Sequence, residues 1–283
     1  LPKTVREAYD VAKRKSKVFD VKLEVQMVEL YLDDLLDLLL AEKKNFKSRI
    51  TPSAKSSKLE VKKDASGNVI ITNSCIIECD SAEQMLEVYR AGEKHRHSRA
   101  TGMNPDSSRS HLIFTIHIQC TNRKTGDVLV GKLSLVDLAG SESRKKTGLT
   151  DQTALDEAKS INMSLLHLGE VINSLSTGKR PNYRNSMLTQ LLADSLGGTA
   201  KTLMFVCVGP SAYNTDTTLK SLQYAERAKK IQNDVSKKAE SSKVSSLKKA
   251  VASLGDALRF AVENGGKLPP GASLAALLDE SQD

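Results

Sequence analysis

The chain has 283 residues, a formal net charge of +8, 39% hydrophobic residues and 27% charged residues. This length suits one large domain with a buried core plus an appended segment, and the apolar runs are far too short to cross a bilayer, so we expect no membrane partner. The positive charge favours an acidic partner, whereas 4% aromatic residues and the absence of Trp disfavour a surface on which nucleic-acid bases stack.

The sequence divides into three zones. Residues 1–234 alternate strand-like and helix-like patterns with short loops, which predicts an α/β layered fold. Residues 235–246 form a linker rich in Lys and Ser, and residues 247–283 hold one amphipathic helix followed by a tail interrupted by Gly and Pro. The four cysteines match no zinc-binding spacing, so we expect buried free thiols in a reducing cytosol.

In the first zone, the segments 19–29 and 111–120 alternate apolar and polar residues, as half-buried strands do. The short runs 132–136 and 203–208 are rich in apolar residues, which predicts central strands buried on both faces. Residues 154–177 carry one apolar stripe at steps of three and four, which predicts a helix of more than six turns that stops at Gly178. A second helix is predicted over residues 217–232, and its expected inward residues are Leu219, Leu222, Ala225, Ala228 and Ile231.

Two polar segments carry candidate chemistry. The first, residues 104–111, reads Asn-Pro-Asp-Ser-Ser-Arg-Ser-His and lies directly before a strand. Its hydroxyls and Arg could hold Mg²⁺ and a phosphate, or they could cap an ordinary turn. The second, residues 135–142, is an apolar strand that ends at Asp137 and continues Leu-Ala-Gly-Ser-Glu. Such an Asp can hold a metal site, and the Gly lets a backbone N–H approach a phosphate.

Together these segments resemble switch I and switch II of the kinesin motor family, and both patterns are complete and in order. Further matching stretches extend the resemblance over about residues 1–234. It implies the kinesin-type P-loop NTPase motor fold, a mixed sheet flanked by helices, with ATP and Mg²⁺ as cofactors and microtubules as partner. The sequence around both switches is most similar to that of kinesin-like calmodulin-binding proteins, which are minus-end-directed kinesins with the motor domain at the C-terminus.

The resemblance also implies roles for the switch I residues. Ser107 and Ser108 would contact Mg²⁺, the γ-phosphate or the waters around them, and Asn104 would join the nucleotide-binding set. Arg109 would pair with Glu142 of switch II and close the two switches over the nucleotide.

Two switch II residues complete the implied site. Asp137 would reach Mg²⁺ through water, and Gly140 would donate its N–H to the γ-phosphate. The reaction would then be a microtubule-stimulated ATP hydrolysis that depends on positioning and charge stabilisation. The resemblance further implies a dimeric protein with a coiled coil, located in the cytoplasm on microtubules of the spindle or axoneme.

The microtubule-facing residues follow from the same resemblance. The predicted helix from Ala154 resembles the relay helix of kinesins, and the loop after Gly178 resembles their microtubule-binding loop. Each cation taken singly could equally belong to a solvated face. The expected microtubule-binding residues are Arg144, Lys145, Lys146, Lys159, Asn162, Lys179, Arg180, Tyr183 and Arg184.

No Gly-x-x-x-x-Gly-Lys-Ser/Thr pattern, the P-loop that cradles nucleotide phosphates, occurs in the 283 residues. By resemblance, the chain begins near the end of the helix that follows the P-loop. We therefore expect this polypeptide alone to bind ATP poorly and, with sheet edges unpaired, to fold poorly. It is either part of an ATPase motor or a microtubule-binding relative without turnover; a nucleic-acid-binding scaffold is the alternative from another class.

The last zone contains a basic amphipathic helix, which suits a groove-binding partner such as calmodulin. The resemblance supports this placement, because the related proteins carry a regulatory helix directly after the motor. Packing on the motor core or pairing as a coiled coil are the alternatives. The expected calmodulin-binding residues are Leu247, Lys248, Lys249, Val251, Leu254, Leu258 and Phe260.

Overall fold

The computed structural model describes residues 1–51, 58–64, 67–103, 109–140 and 152–233, together with Arg259. For residues 98–103 and 152–161 it describes the backbone and not the side chains. The chain divides into two compact units, Leu1–Asp234 and Val235–Asp283, and the description below concerns the first. In the part of the chain that is described, no helix is both long enough and apolar enough to cross a membrane.

The first unit alternates helices and strands along the chain. Four of its described helices have 14 to 25 residues, and a 3₁₀ turn at Leu40–Lys44 separates β2 from β3 in the list that follows. In chain order the elements are α1 (Pro2–Lys15), β1 (Phe19–Tyr31), β2 (Asp34–Asp37), β3 (Ser48–Ile50), β4 (Glu60–Lys63), β5 (Val69–Thr72), β6 (Cys75–Glu78), α2 (Ala82–Met103), β7 (Ser110–Asn122), β8 (Val128–Asp137), α3 (Gln152–Ser176), α4 (Met187–Leu191) and α5 (Thr215–Lys229).

The main sheet has the strand order β3-β6-β1-β7-β8, and β2 pairs with the same edge of β1 as β6 does. Every pairing among the described strands is antiparallel. The strands β4 and β5 form a separate hairpin. The expected α/β fold is thus confirmed, while the parallel pairs of a mixed sheet are not found among the strands described.

Strand β1 lies in the middle of this sheet rather than half-buried as its alternation predicts. It pairs with β7 along its whole length and with β2 and β6 on the other edge. Residues 24–30 are buried on both faces, including Glu24, Gln26 and Glu29. The polar residues of the alternating pattern therefore mark internal ion pairs and hydrogen bonds, not solvent, because buried polar groups require partners.

Two hydrophobic cores cover the two faces of the sheet. One core joins Val25, Met27, Phe114 and Ile116 of the sheet to buried residues of α2 such as Met85. The other joins residues on the opposite face, such as Leu30 and Ile113, to Leu168 and Ile172 of α3. The alternation of successive side chains in β1 and β7 therefore places α2 on one face and α3 on the other.

Helix α3 confirms the long helix that the apolar stripe predicts, within two residues at its start and one at its end. Leu168 and Ile172 of the stripe are buried in the core. The helix ends at Ser176, and two residues later Gly178 has a φ of +69°, in the left-handed region. The backbone N–H of Lys179 donates to the carbonyl of Ser174, which is the closing bond of a Schellman cap.

Two strand predictions need correction. Residues 203–208 form no strand, and Leu203 is 76% exposed, because no described strand lies beside this run to satisfy its backbone. Residues 132–136 do form part of β8, but β8 is the last strand of the sheet and Val136 is exposed. Apolar content therefore does not distinguish a central strand from one at an edge.

The predicted inward face of helix α5 is confirmed towards its end and wrong near its start. Leu219 and Leu222 are exposed, contrary to the prediction. Ala228 and Ile231 pack against the second core as predicted, and Tyr224, which the pattern does not predict, packs there too. Tyr224 and Ala228 are four residues apart and so lie on one face of the helix. The helix packs on α3, and that contact determines which of its apolar residues are covered.

Candidate functional site

The two switch-like segments meet at one end of the sheet. Strand β7 begins at Ser110, within the last two residues of the first segment, and β8 ends at Asp137, within the second. The two strands are antiparallel, and Leu112 pairs with Asp137. The register therefore places the start of one segment beside the end of the other, as a shared site requires.

A buried cluster of polar groups supports this end of the sheet on the α2 side. The Arg96 guanidinium, almost fully buried, donates to the backbone carbonyl and the hydroxyl of Ser110 over 3.1 Å each. The Ser110 hydroxyl donates in turn to Glu29 Oε1 over 2.6 Å. Arg96 Nη1 also lies 3.5 Å from Asp137 Oδ2. One arginine thus links α2, β1, β7 and the end of β8.

The opposite face of the same sheet end carries a buried histidine. The backbone N–H of Ala139 donates to Nδ1 of His111 over 2.9 Å, and Nε2 of His111 lies 3.0 Å from the Ser164 hydroxyl on α3. Burial lowers the pKa of His111 to about 4; nearby Arg96 acts in the same direction, and Asp137 opposes it. The imidazole is therefore neutral at physiological pH.

The described residues fit one side of a magnesium–nucleotide site. The Asp137 carboxylate is 73% exposed, although Arg96 fixes one of its oxygens, so it is free to accept hydrogen bonds from metal-bound water. Gly140 lies half-buried at the same sheet end. The described residues contain no cluster of three or more His, Cys, Asp or Glu side chains for a metal, so hydroxyls, water and phosphate would supply the other ligands.

Several predicted site residues lie outside the described part of the chain. They are Asn104, Ser107 and Ser108 of the first segment, Glu142, Arg144, Lys145 and Lys146 after β8, and Leu247, Lys248, Lys249, Val251, Leu254, Leu258 and Phe260 of the C-terminal helix. Arg109 is described, half-buried and directly before β7. Its predicted pairing with Glu142 stays a prediction.

A cationic cleft lies between the β4–β5 hairpin and the loop after α3. Its volume is about 900 Å³, and its lining includes Lys62, Lys63, Arg180 and Arg184. The Lys63 ammonium lies 5.7 Å from the centre of the Tyr183 ring, a cation–π distance. The cleft therefore brings two predicted microtubule-binding arginines together with two lysines from a distant part of the sequence.

The remaining predicted microtubule-binding residues have different environments. Lys179 is exposed at the end of α3, and Asn162 is half-buried within it. Lys159 belongs to the same helix, where only its backbone is described. Tyr183 donates its hydroxyl to the carbonyl of Leu196 over 2.5 Å, and burial raises its pKa. Tyr183 therefore has an internal hydrogen bond in addition to any surface role.

Sequence reasoning missed Arg96, Glu29 and Ser164 as residues of this site. Glu29 offered a signal, because a carboxylate in a long apolar strand needs a buried partner. Ser164 offered none, since a serine within an amphipathic helix is common on any face. Arg96 lies in a strongly basic and polar stretch of α2 that reads as a solvated surface.

Comparison with known proteins now identifies the family. Residues 1–231 match the family described as kinesin motor domain. The chain is 46% identical over 252 residues to the kinesin-like protein KIN-14E of Arabidopsis thaliana, 44% over 252 residues to KIN-14I of Oryza sativa subsp. japonica, and 39% over 238 residues to kinesin heavy chain isoform 5A of Homo sapiens. These matches cover 89%, 89% and 83% of the chain, but only 19%, 19% and 22% of the relatives.

Solved structures agree with this result. The structure of a fast kinesin aligns with a TM-score of 0.71 at 37% identity, covering 82% of this chain and 62% of that one. The C-terminal motor and motor homology domain of Kar3Vik1 aligns with a TM-score of 0.66 at 32% identity, covering 81% of this chain and 57% of the other. With its switch segments, its sheet and these similarities, the chain belongs to the kinesin motor domain family.

Proposed function

We propose that this chain is the switch-bearing and microtubule-binding part of a motor that couples ATP hydrolysis to movement towards the microtubule minus end. The observation that carries the proposal is the junction of β7 and β8, where an exposed Asp137 lies beside the start of β7. His111 at this junction contacts α3, the helix that resembles the kinesin relay helix. The similarity to the KIN-14 proteins supports the direction of movement.

At this junction we assign the residues as the family resemblance indicates. Bound Mg²⁺ would neutralise charge on the β- and γ-phosphates. Asp137 would accept hydrogen bonds from the metal's waters, and Gly140 would donate its N–H to the γ-phosphate. On the switch I side, Asn104, Ser107 and Ser108 would contact the metal or the phosphate, and the Arg109–Glu142 pair would hold the two switches together.

The proposed microtubule surface follows the cations around α3 and the cleft. The tubulin surface is acidic, so the four cleft cations favour its approach and make binding weaken as salt increases. The relevant experiment is co-sedimentation of the full chain with microtubules at several salt concentrations. We expect the double variant Arg180→Glu, Arg184→Glu to bind roughly tenfold more weakly.

A matched control is a charge reversal outside the cleft. Lys124 is exposed in the turn between β7 and β8, and Lys124→Glu should leave the microtubule affinity within about twofold. Equal weakening by both changes would indicate non-specific charge attraction. Competition with DNA at the same salt separates the alternative of a nucleic-acid scaffold, because that alternative requires DNA to displace tubulin.

ATP turnover is the second part of the proposal. It needs a P-loop, and the 283 residues contain no such pattern. The decisive measurement is the intact mass and N-terminal sequence of the protein from its source, followed by microtubule-stimulated ATPase assays of that protein. A P-loop upstream with stimulated turnover supports the motor. A source protein without one leaves a microtubule-binding protein that does not hydrolyse ATP.

A Ca²⁺-dependent partner is a second candidate function, and the extent of the similarity favours it. An alignment of 252 residues that begins at or after Leu1 ends at or beyond residue 252, whereas the family match ends at residue 231. The similarity to the two plant proteins therefore reaches the start of the predicted basic helix. Native gels of residues 240–265 with calmodulin should show a complex with Ca²⁺ and none with chelator; no shift with Ca²⁺ contradicts this candidate.

We also propose a dimeric protein, joined by a coiled coil and located in the cytoplasm on microtubules of the spindle or axoneme. The similarity to a Kar3Vik1 motor fused to a heterodimeric coiled coil supports paired chains for this family. Sedimentation velocity of the source protein measures the state, and a fluorescent fusion shows the location. A monomer, or a diffuse signal that ignores microtubules, contradicts these assignments.

A further inference from the structure

The buried imidazole of His111 contacts two segments that are far apart in the sequence. His111 is 2% exposed and Ser164 is 5% exposed, so water has little access to either side chain. Nδ1 accepts the Ala139 N–H, and a neutral imidazole that accepts at Nδ1 carries its proton on Nε2. Nε2–H therefore donates to the Ser164 hydroxyl, and both nitrogens are satisfied.

The two contacts join parts with different proposed tasks. Ala139 lies between Asp137 and Gly140, which face the proposed nucleotide site. Ser164 lies on α3, one turn before Leu168 and two turns before Ile172, both of which are buried in the core. The imidazole is rigid, so the separation of the Ala139 amide from the Ser164 hydroxyl is fixed by the ring and two hydrogen bonds.

The charges around the ring keep this arrangement intact. Asp137 at the end of β8 and Arg96 on α2 are the charged groups that influence His111, and they act in opposite directions. Protonation of Nδ1 would place two donors face to face and break the bond to Ala139. Burial keeps the imidazole neutral. The two hydrogen bonds that join His111 to Ala139 and to Ser164, called the joint below, therefore persist over the physiological pH range.

We propose that His111 is a positioning residue that couples the Ala139–Gly140 segment to helix α3, so that displacement of either one displaces the other. The coupling is reciprocal, as linkage requires: a ligand at the nucleotide side shifts α3, and a partner on α3 shifts Ala139. The joint itself rests on the observed contacts, while its use in a motor rests on the proposed function.

The first test measures amide hydrogen exchange at Ala139 in the full chain without any ligand. Ser164→Ala removes the α3 end of the joint and changes nothing next to Ala139 in the sequence. We expect exchange at the Ala139 amide to rise about five- to tenfold, in line with the loss of one hydrogen bond. The control is His117→Asn, on the same strand, which should leave Ala139 unchanged. Unaltered exchange at Ala139 in Ser164→Ala overturns the proposal.

The second test asks whether the joint transmits a signal. We expect saturating microtubules to change exchange at Ala139 in the wild-type chain. In His111→Asn, Oδ1 can still accept the Ala139 N–H but the side chain is too short to reach Ser164. We expect this variant to bind microtubules with no change at Ala139. A role in stability alone would leave the microtubule effect in place, and that result contradicts the coupling.

Two further outcomes are also decisive. If His111→Asn does not fold, Ser164→Ala serves in the second test, since it retains the imidazole. If the wild-type chain does not bind microtubules, the proposed function fails and the first test still decides whether the joint exists. The ¹⁵N chemical shifts of His111 provide an independent check, because only the Nε2–H tautomer agrees with the geometry.

Discussion

The Lys132 ammonium of β8 lies 2.6 Å from Asp194 Oδ2, in a loop that follows α4. Asp194 is 4% exposed, and its Oδ2 also accepts the backbone N–H of Val69 over 2.9 Å. Lys132 donates in addition to the carbonyl of Val69 over 2.8 Å. This pair therefore joins the edge of the main sheet to the β4–β5 hairpin and to the segment behind the cationic cleft.

Removal of the buried carboxylate should be strongly destabilising. Asp194→Ala leaves the Lys132 ammonium and the Val69 N–H without their partner, so we expect a loss of about 3–5 kcal/mol in the free energy of unfolding. Urea unfolding of the chain measures the change. The control is Asp34→Ala, which breaks the exposed Lys58–Asp34 pair of 3.0 Å and should cost less than about 1 kcal/mol. Equal losses would show that the buried Lys132–Asp194 pair stabilises the fold no more than an exposed ion pair does.

Stability should fall as the pH falls from about 6.5 to about 4. Burial lowers the pKa of both His111 and His117 to about 4, from 6.5. Between those values the unfolded chain binds more protons than the folded chain, so acid favours unfolding, by on the order of 3 kcal/mol for the fully buried His111.

The variant His117→Asn tests how much one histidine contributes to the loss of stability in acid. Lys132 and Arg49 lower the pKa of His117 further, and Glu24 opposes them. Without this imidazole, the plot of unfolding free energy against pH should be less steep between pH 6.5 and 4, as urea titrations at four or five pH values can show. An unchanged slope would mean that His117 does not contribute to the acid sensitivity.

The outer edge of β8 should promote self-association. No described strand pairs with it, and Val130 is 78% exposed among other exposed aliphatic residues of the strand. Free edges of this kind template pairing between chains, and a lysine on the edge blocks it. We therefore expect Val130→Lys to shift association, measured by sedimentation velocity, to higher concentration.

A matched variant separates edge pairing from net charge. Val11→Lys adds the same charge at an exposed position of α1. It should leave association close to that of the wild type, and both variants should retain stability to within about 0.5 kcal/mol. Equal suppression of association by both would mean that charge repulsion, not the edge, is responsible.

The end of α3 depends on the backbone conformation of Gly178. Its φ of +69° strains any residue with a Cβ atom except Asn and a few others. Gly178→Ala should therefore cost about 1 kcal/mol in unfolding free energy, while Gly178→Asn should cost clearly less. Thermal unfolding of the two variants provides the comparison, and identical stabilities would contradict the role of the left-handed cap.

Local patterns were sufficient to predict three of the long elements, β1, β7 and α3. The apolar stripe predicts α3, the alternating segments predict β1 and β7, and Gly178 predicts the helix end, because periodicity and backbone preference act over a few residues. The two switch-like motifs likewise identify the family and place the functional loops after α2 and after β8. Their chemistry is a property of residue types at fixed spacing, which a single sequence displays directly.

Burial and long-range partners depended on the folded arrangement. The runs 132–136 and 203–208 are both rich in apolar residues. Nevertheless β8 lies at the edge of the sheet and residues 203–208 form no strand, because neighbouring strands determine which residues are covered. Arg96, His111 and Asp194 find their partners across different elements. Such contacts arise only when strands set a register and helices pack on chosen faces, so no local pattern could have predicted them.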